Sequence, residues 1–160
     1  MDRLWSPWRA PYVQKMKKMK GCLFCKAYKS KDLEKDYVVV KTAHALVMLN
    51  IFPYNNGHIM IAPRRHVAVL EDCRPEELSD VMDLARRMMR PLRRILNPSG
   101  FNIGMNIGKI AGAGIDQHLH LHVVPRWQGD TNFMPVCAAT KIIPQSLDDF
   151  YRRLRKEIKG

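Results

Sequence analysis

Three histidines, His118, His120 and His122, alternate with Leu119, Leu121 and Val123, and Val124 closes the run. Alternate residues of a β-strand share a face. The spacing therefore predicts a strand that sends the leucines and Val123 into a core and sets the imidazoles in a row on its other side. Such rings serve as hydrogen-bonded residues of a wet sheet, as metal ligands, or as a nucleophile with orienting neighbours. A rise of about 3.3 Å per residue puts the outer two about 13 Å apart. Since a zinc to nitrogen bond is about 2 Å, one ion readily takes two adjacent rings but hardly all three. A neutral imidazole can also attack phosphorus to form a phosphoramidate, which divides one displacement into two. Upstream, Gly108, Gly112, Ala113 and Gly114 could aim backbone amides at a phosphate, although a plain turn before a strand has the same composition.

A second chemical group is the close pair Cys22 and Cys25. In a reducing compartment such a pair points to metal or redox chemistry before a structural disulfide. No strand and helix of thioredoxin character flank it, and a zinc site needs two further ligands. Cys73 and Cys137 read as buried or idle thiols, and His44 as an ordinary strand residue.

The elements that must position these groups are legible as periodicity. Tyr37 to Val40, His44 to Leu49, Gly57 to Ala62 and Phe101 to Ile107 read as strands, with Pro53, Tyr54, Asn55, Asn56 and Gly57 supplying a hairpin turn. Pro75 with Glu76 and Glu77 opens a helix whose inward stripe is Leu78, Val81, Met82, Ala85, Met88 or Met89, Leu92 and Ile95. Those methionines read as core, and Pro91 should kink the helix or split it. Ser146 caps a terminal helix with Leu147, Phe150, Leu154 and Ile158 inward. Strands adjacent in sequence with one long helix and a C-terminal helix give an α+β domain with an antiparallel sheet of about five strands, not a doubly wound fold.

A chain of 160 residues fits one domain, 1–160, with 1–20 as an N-terminal arm rich in aromatic residues and proline. No stretch approaches the roughly 20 apolar residues of a membrane span. The first residues lack signal-peptide design, so a cytoplasmic location without membrane contact is expected. A net charge of +12 implies an anionic partner, a nucleotide or polyphosphate among them, and much of the excess reads as solvated faces. No recognised nucleic-acid motif accompanies the charge, so nucleic acid is not an expected partner.

His118 through Val124 has the pattern His-φ-His-φ-His-φ-φ, with φ apolar, and the chain resembles the histidine triad family over most of its length. The resemblance includes Cys22 to Cys25, Asn50 ahead of Gly57 and His58, Pro63 to His66, Asn106 with Gly108, and Pro125 to Trp127. It is similar to the diadenosine tetraphosphate phosphorylase branch in Leu4 to Arg9, Ala111 to Gly114, Asp130 to Phe133 and Ile143 to Gln145.

The resemblance implies a homodimer acting on dinucleoside polyphosphates, with His120 as nucleophile on the α-phosphorus and a nucleotidyl-histidine intermediate. It further implies His122 at the phosphoryl oxygens, Asn106 at the phosphate chain, Asn50 at the ribose and His58 near the reaction centre. Relatives with a structural zinc add two histidines to such a cysteine pair, which here implies Cys22, Cys25, His66 and His118 as ligands, and no organic cofactor. The chain departs from many relatives just before the triad. Gly114, Ile115, Asp116 and Gln117 include one extra residue, which moves the leaving-group contact to backbone amides or Gln117. The expected reaction is nucleotidyl transfer from diadenosine tetraphosphate to inorganic phosphate. Hydrolysis of that substrate or of a nucleoside phosphoramidate, with water as acceptor, is the alternative, and a nucleotide-binding or nucleic-acid-binding module the alternative of another class.

Overall fold

A computed structural model describes residues 21–130 and 145–159. The N-terminal arm 1–20, Cys137, and the resemblance at 131–144 lie outside these residues. The chain builds α1 (Leu23–Lys29), β1 (Val38–Lys41), β2 (Ala45–Leu49), β3 (Ile59–Pro63), α2 (Pro75–Leu96), β4 (Gly100–Met105), β5 (Leu121–Arg126) and α3 (Leu147–Lys159). The strands form one antiparallel sheet in the order β1-β2-β3-β5-β4. This is the α+β architecture expected from the sequence.

Every residue of β2 and β3 is buried because both faces of the sheet are covered. One face, carrying Val47, Leu49, Ile59, Ile61, Leu121 and Val123, packs on Val81, Leu84, Met88 and Leu92 of α2 and on Phe150 and Leu154 of α3. The other face, carrying Leu46, Met48, Met60 and Ala62, packs on Phe24 and Ala27 of α1. Alternation thus divides each strand between two cores, and α1 and α2 lie on opposite sides of the sheet.

The ends of α2 follow from local chemistry. The Arg74 backbone N–H donates to Glu77 Oε2 at 2.8 Å, satisfying an amide at the helix start, and Asn97 ends the helix in the left-handed region at φ 45°. Of the two outcomes expected at Pro91, a kink or a split, the split does not occur: residues 75–96 form one helix, and the burial of Met88, Pro91 and Leu92 carries it across the hydrogen bond that proline cannot donate. One expectation for this helix needs correction. Met82 is 54% exposed rather than core, and the inward stripe instead runs Glu77, Val81, Leu84, Ala85, Met88, Leu92. At 100° per residue Leu84 lies about 60° to one side of Val81 and Ala85 about 40° to the other, whereas Met82 lies about 60° beyond Ala85 and outside the stripe.

The connection between β2 and β3 forms the expected hairpin, with Leu49 opposite Ile59. Gly57 adopts φ +75°, and a Cβ there would collide with Leu96 and crowd Pro125 at 3.2 Å. Only glycine fits that position. Ser146 Oγ accepts the Asp149 N–H at 3.1 Å, capping α3 as expected, and Leu147, Phe150, Leu154 and Ile158 pack inward. His44 is exposed in the bend just ahead of β2, not in the strand.

Candidate active site and metal centre

The histidine run corrects one expectation. The β5 ladder begins at Leu121, so His122 alone of the three histidines lies in the strand, opposite Met60 and Gly104. The ladder stops there because its β3 partner ends at Pro63, which has no N–H to donate, and Leu119 N–H bonds Val67 O at 2.6 Å instead. The alternation nevertheless persists. Leu121 and Val123 enter the α2 side, while the His118 and His120 rings meet the Phe24 ring of α1 at centroid distances of 5.1 and 4.9 Å. All three imidazoles are buried, so this face is not a wet sheet surface.

Each ring is oriented by a bond that decides which nitrogen holds its proton. His120 Nδ1–H donates to the His118 carbonyl at 2.8 Å, which leaves Nε2 of the neutral ring as the unprotonated nitrogen. Burial lowers the His120 pKa, and that carbonyl only partly offsets it. Both the burial and the resulting shift favour the neutral ring, the form in which an imidazole can act as a nucleophile.

His58 and His122 form a directed pair. The Tyr54 backbone N–H donates to His58 Nδ1 at 3.0 Å, and Asn50 Nδ2 approaches the same nitrogen at 3.3 Å. A neutral His58 therefore carries its proton on Nε2 and donates it to His122 Nδ1 at 2.9 Å. That in turn puts the His122 proton on Nε2. The His120 and His122 rings meet edge to face at 4.7 Å between centroids, so a ring with a bare Nε2 and a ring with an Nε2–H stand side by side.

The turn holding His58 is braced from β5. Asp130 takes two bonds from the Arg126 guanidinium, at 2.6 and 2.8 Å, and one from Asn55 Nδ2 at 2.8 Å. Asn55 O in turn accepts the His58 N–H at 3.2 Å. Asn50 is itself a brace, with Oδ1 accepting the Phe52 N–H at 2.9 Å.

The remaining expected substrate residues, Asn106, Gly112, Ala113, Gly114 and Gln117, all lie on the connection from β4 into His118. Gly108 and Gly112 adopt φ +82° and +90°, which glycine tolerates. The Gly112 and Ala113 amides bond Lys109 O and Gly108 O at 3.0 and 3.3 Å, so this loop is closed on itself before any anion arrives.

Cys22, Cys25, His66 and His118 converge, with one donor atom from each lying within 4.8 Å of all the others. Cys22 caps α1 and Cys25 lies one turn on, so both sulfurs face the same way. The Cys22 Sγ to His118 Nδ1, Cys25 Sγ to His66 Nδ1 and His66 Nδ1 to His118 Nδ1 distances are 3.2, 3.4 and 3.2 Å. Tetrahedral zinc bonds of about 2.0 to 2.3 Å require donors about 3.3 to 3.8 Å apart, so the set fits that ion. The tautomer fits as well. His118 Nε2–H donates to Pro63 O at 2.8 Å, which leaves Nδ1 as a lone pair aimed at the thiols, the orienting bond that metal-binding histidines use. Burial, aided by His66 and His120 and opposed by Pro63 O, brings the His118 pKa down to about 4, keeping the ring in its ligating form.

Phe24, Tyr54 and Pro63 were not among the expected site residues. Phe24 touches both the His118 and the His120 rings, and its place between the two cysteines was the available signal. Tyr54 acts through its amide, which no residue type announces. Cys73 is half-buried, its thiol pKa raised by burial, in keeping with an idle thiol.

Fold and site together define an α+β protein with the buried imidazoles of His120 and His122 beside a two-cysteine, two-histidine cluster. The HIT domain pattern matches residues 32–129, and the chain belongs to the HIT domain family. The AP-4-A phosphorylase of Mycobacterium tuberculosis is 36% identical over 164 residues, covering 98% of this chain and 84% of that protein. The adenosine 5'-monophosphoramidase of Saccharomyces cerevisiae is 28% identical over 140 residues, covering 88% and 84%. Among solved structures, a zinc-bound histidine triad family protein from Mycobacterium smegmatis superposes with a TM-score of 0.67 at 27% identity, covering 87% of this chain and 94% of that one. The family thus includes nucleotide-processing enzymes.

Proposed function

We propose that this chain transfers a nucleotidyl group from a dinucleoside polyphosphate, taken here as diadenosine tetraphosphate, to inorganic phosphate. The observation that carries the reading is the pair of opposed tautomers, with His120 Nε2 unprotonated beside His122, whose proton stands on Nε2. Relatives named AP-4-A phosphorylase at 36% identity favour this substrate class.

His120 Nε2 attacks the α-phosphorus, a P–N bond forms, and the P–O bond to the departing ATP breaks. Negative charge accumulates on the phosphoryl oxygens, and His122 Nε2–H, with Asn106 at the phosphate chain, offsets it. An oxygen of inorganic phosphate then attacks the same phosphorus, the P–N bond breaks, and ADP leaves with His120 neutral again. Asn50 takes the ribose while bracing His58. Gly112, Ala113, Gly114 and Gln117 line the polyphosphate side.

Cys22, Cys25, His66 and His118 would hold a zinc ion, which supplies a rigid crosslink between α1 and the segment leading into β5. Its effect on chemistry passes through this chain's own groups, since the His118 carbonyl orients His120. We place the protein in the cytoplasm as a homodimer formed through β4. That strand is one of the two sheet edges, with Ile103 43% exposed, and an edge left open among the described residues favours pairing with a second copy.

Incubation with diadenosine tetraphosphate, with and without phosphate, tests the reading. ATP plus ADP formed only with phosphate supports it. ATP plus AMP at every phosphate concentration overturns it in favour of hydrolysis. Relatives named adenosine 5'-monophosphoramidase favour a second reading, in which water cleaves a nucleoside phosphoramidate through the same His120.

A further inference from the structure

The positive charge of α2 is segregated. Its acids Glu76, Glu77, Asp80 and Asp83 fall in the first half, and Arg86, Arg87, Arg90, Arg93 and Arg94 follow without an acid among them. The helix dipole favours cations only in the last turn. Arg86 and Arg87 lie more than two turns before Leu96 and owe their place to something else. Arg86, Arg90 and Arg94 recur every four residues and form a ridge. With Arg87 they line a groove of about 350 Å³ whose opposite wall is Glu157 and Ile158 of α3. Asp83 pairs with Arg86 and Arg87 at 2.6 and 3.9 Å and Glu157 with Arg94 at 2.7 Å, whereas Arg90 has no acidic partner among the described residues. Beyond α3 lies a second depression, of about 600 Å³, lined by Lys31, Arg152, Arg155, Lys156 and Lys159 against Asp32 and Glu34. Cations outnumber acids along the whole strip.

This strip does not serve the histidines. The helices α2 and α3 pack on the sheet face of Leu121 and Val123, and the intervening His122 points to the other face. A lipid surface is a poor match, because a membrane-lying helix presents apolar residues to the bilayer. Here the apolar faces of α2 and α3 are packed on the sheet. Among the described residues, Met82 is the one large exposed hydrophobic of these helices, a turn before the ridge. Guanidinium forks grip phosphate oxygens in pairs and stack on bases. We propose that the arginine groove between α2 and α3 docks the phosphodiester backbone of single-stranded nucleic acid, across the sheet from the reaction centre. Recognition of this kind reads no sequence and needs no sequence motif.

The test is fluorescence anisotropy of a labelled single-stranded 15-nucleotide RNA of mixed sequence, titrated with the full chain. Four arginines on four phosphates give a slope of log affinity against log salt of about −2.8, a loss of about 50-fold between 50 and 200 mM. An Arg87→Gln, Arg90→Gln variant, both positions being exposed, should fold normally by circular dichroism and bring the slope to about −1.4. Binding should survive His120→Ala and excess diadenosine tetraphosphate. The proposal is overturned if the RNA does not bind saturably, if the double variant binds as the wild type does, or if the dinucleotide displaces the RNA. Equal affinity for inorganic polyphosphate or anionic vesicles, insensitive to the two arginines, also overturns it.

Discussion

The placement of the His58 and His122 protons, both on Nε2, can be tested with two substitutions that each keep half of an imidazole. A glutamine amide nitrogen reaches the position of His Nε2, and an asparagine oxygen that of Nδ1. His58→Gln therefore retains the donor to His122 Nδ1, now 2.9 Å away, and loses the acceptor for the Tyr54 N–H. His58→Asn does the reverse, and without that donor His122 is free to move its proton to Nδ1 and present a bare Nε2 to the phosphoryl group. Removing one preorganised donor from a developing oxyanion costs about 2.7–4 kcal/mol, or 100-fold to 1000-fold in kcat. His58→Asn should fall in that range, and His58→Gln should stay within about tenfold of wild type, under about 1.4 kcal/mol. His58 is 2% exposed, so either change leaves a polar group poorly matched and should lower stability by about 1–3 kcal/mol. Stability thus does not separate the variants, and kcat does. The assay is steady-state turnover of diadenosine tetraphosphate at saturating phosphate, with urea unfolding alongside. Equal rates for the two variants, or asparagine faster than glutamine, would refute the proton placement.

Other outcomes follow from individual contacts. Phe24 is fully buried against the His118 and His120 rings, and Phe24→Ala should cost about 3–5 kcal/mol in urea unfolding, with a loss below 1 kcal/mol counting against tight packing on those rings. Glu77 is buried and bonded by Arg65 at 2.7 and 2.9 Å, which holds its pKa at about 2 against a usual 4.5. Its stabilisation is full above about pH 4.5 and lost as pH falls toward 2. The shift caps this at about 3 kcal/mol, and the exposure of Arg65 trims it to about 1–2 kcal/mol. Glu77→Gln should flatten the acid limb of the stability curve, and an unchanged limb would contradict this. Elemental analysis should find about one zinc per chain, falling well below that in Cys25→Ser. A chelator should lower the unfolding midpoint of the wild type, and a midpoint that does not move would speak against a structural ion.

The chemistry-bearing residues were legible because side-chain type and spacing announce them. The alternation of His118, His120 and His122 with apolar residues survives in the fold even though the ladder starts only at Leu121. What was not legible are the bonds made by backbone atoms. The carbonyls of Pro63 and His118 and the amide of Tyr54 set the proton positions, and any residue type supplies such groups. The strand ends were missed for a related reason. Pro63 marks the end of β3, but its consequence falls on β5, some sixty residues later, and only pairing in space joins the two. Likewise Met82 and Leu84 both satisfy a helical stripe roughly, and the sheet decides which is covered.

The central claim is that His120 becomes covalently nucleotidylated. Acid-free rapid quenching during turnover of diadenosine tetraphosphate, followed by peptide mapping, tests it directly. An AMP adduct on His120 is expected, accumulating when phosphate is withheld and discharged as ADP when phosphate is added. Steady turnover with no adduct, or an adduct on His122 or His58 instead, would contradict it.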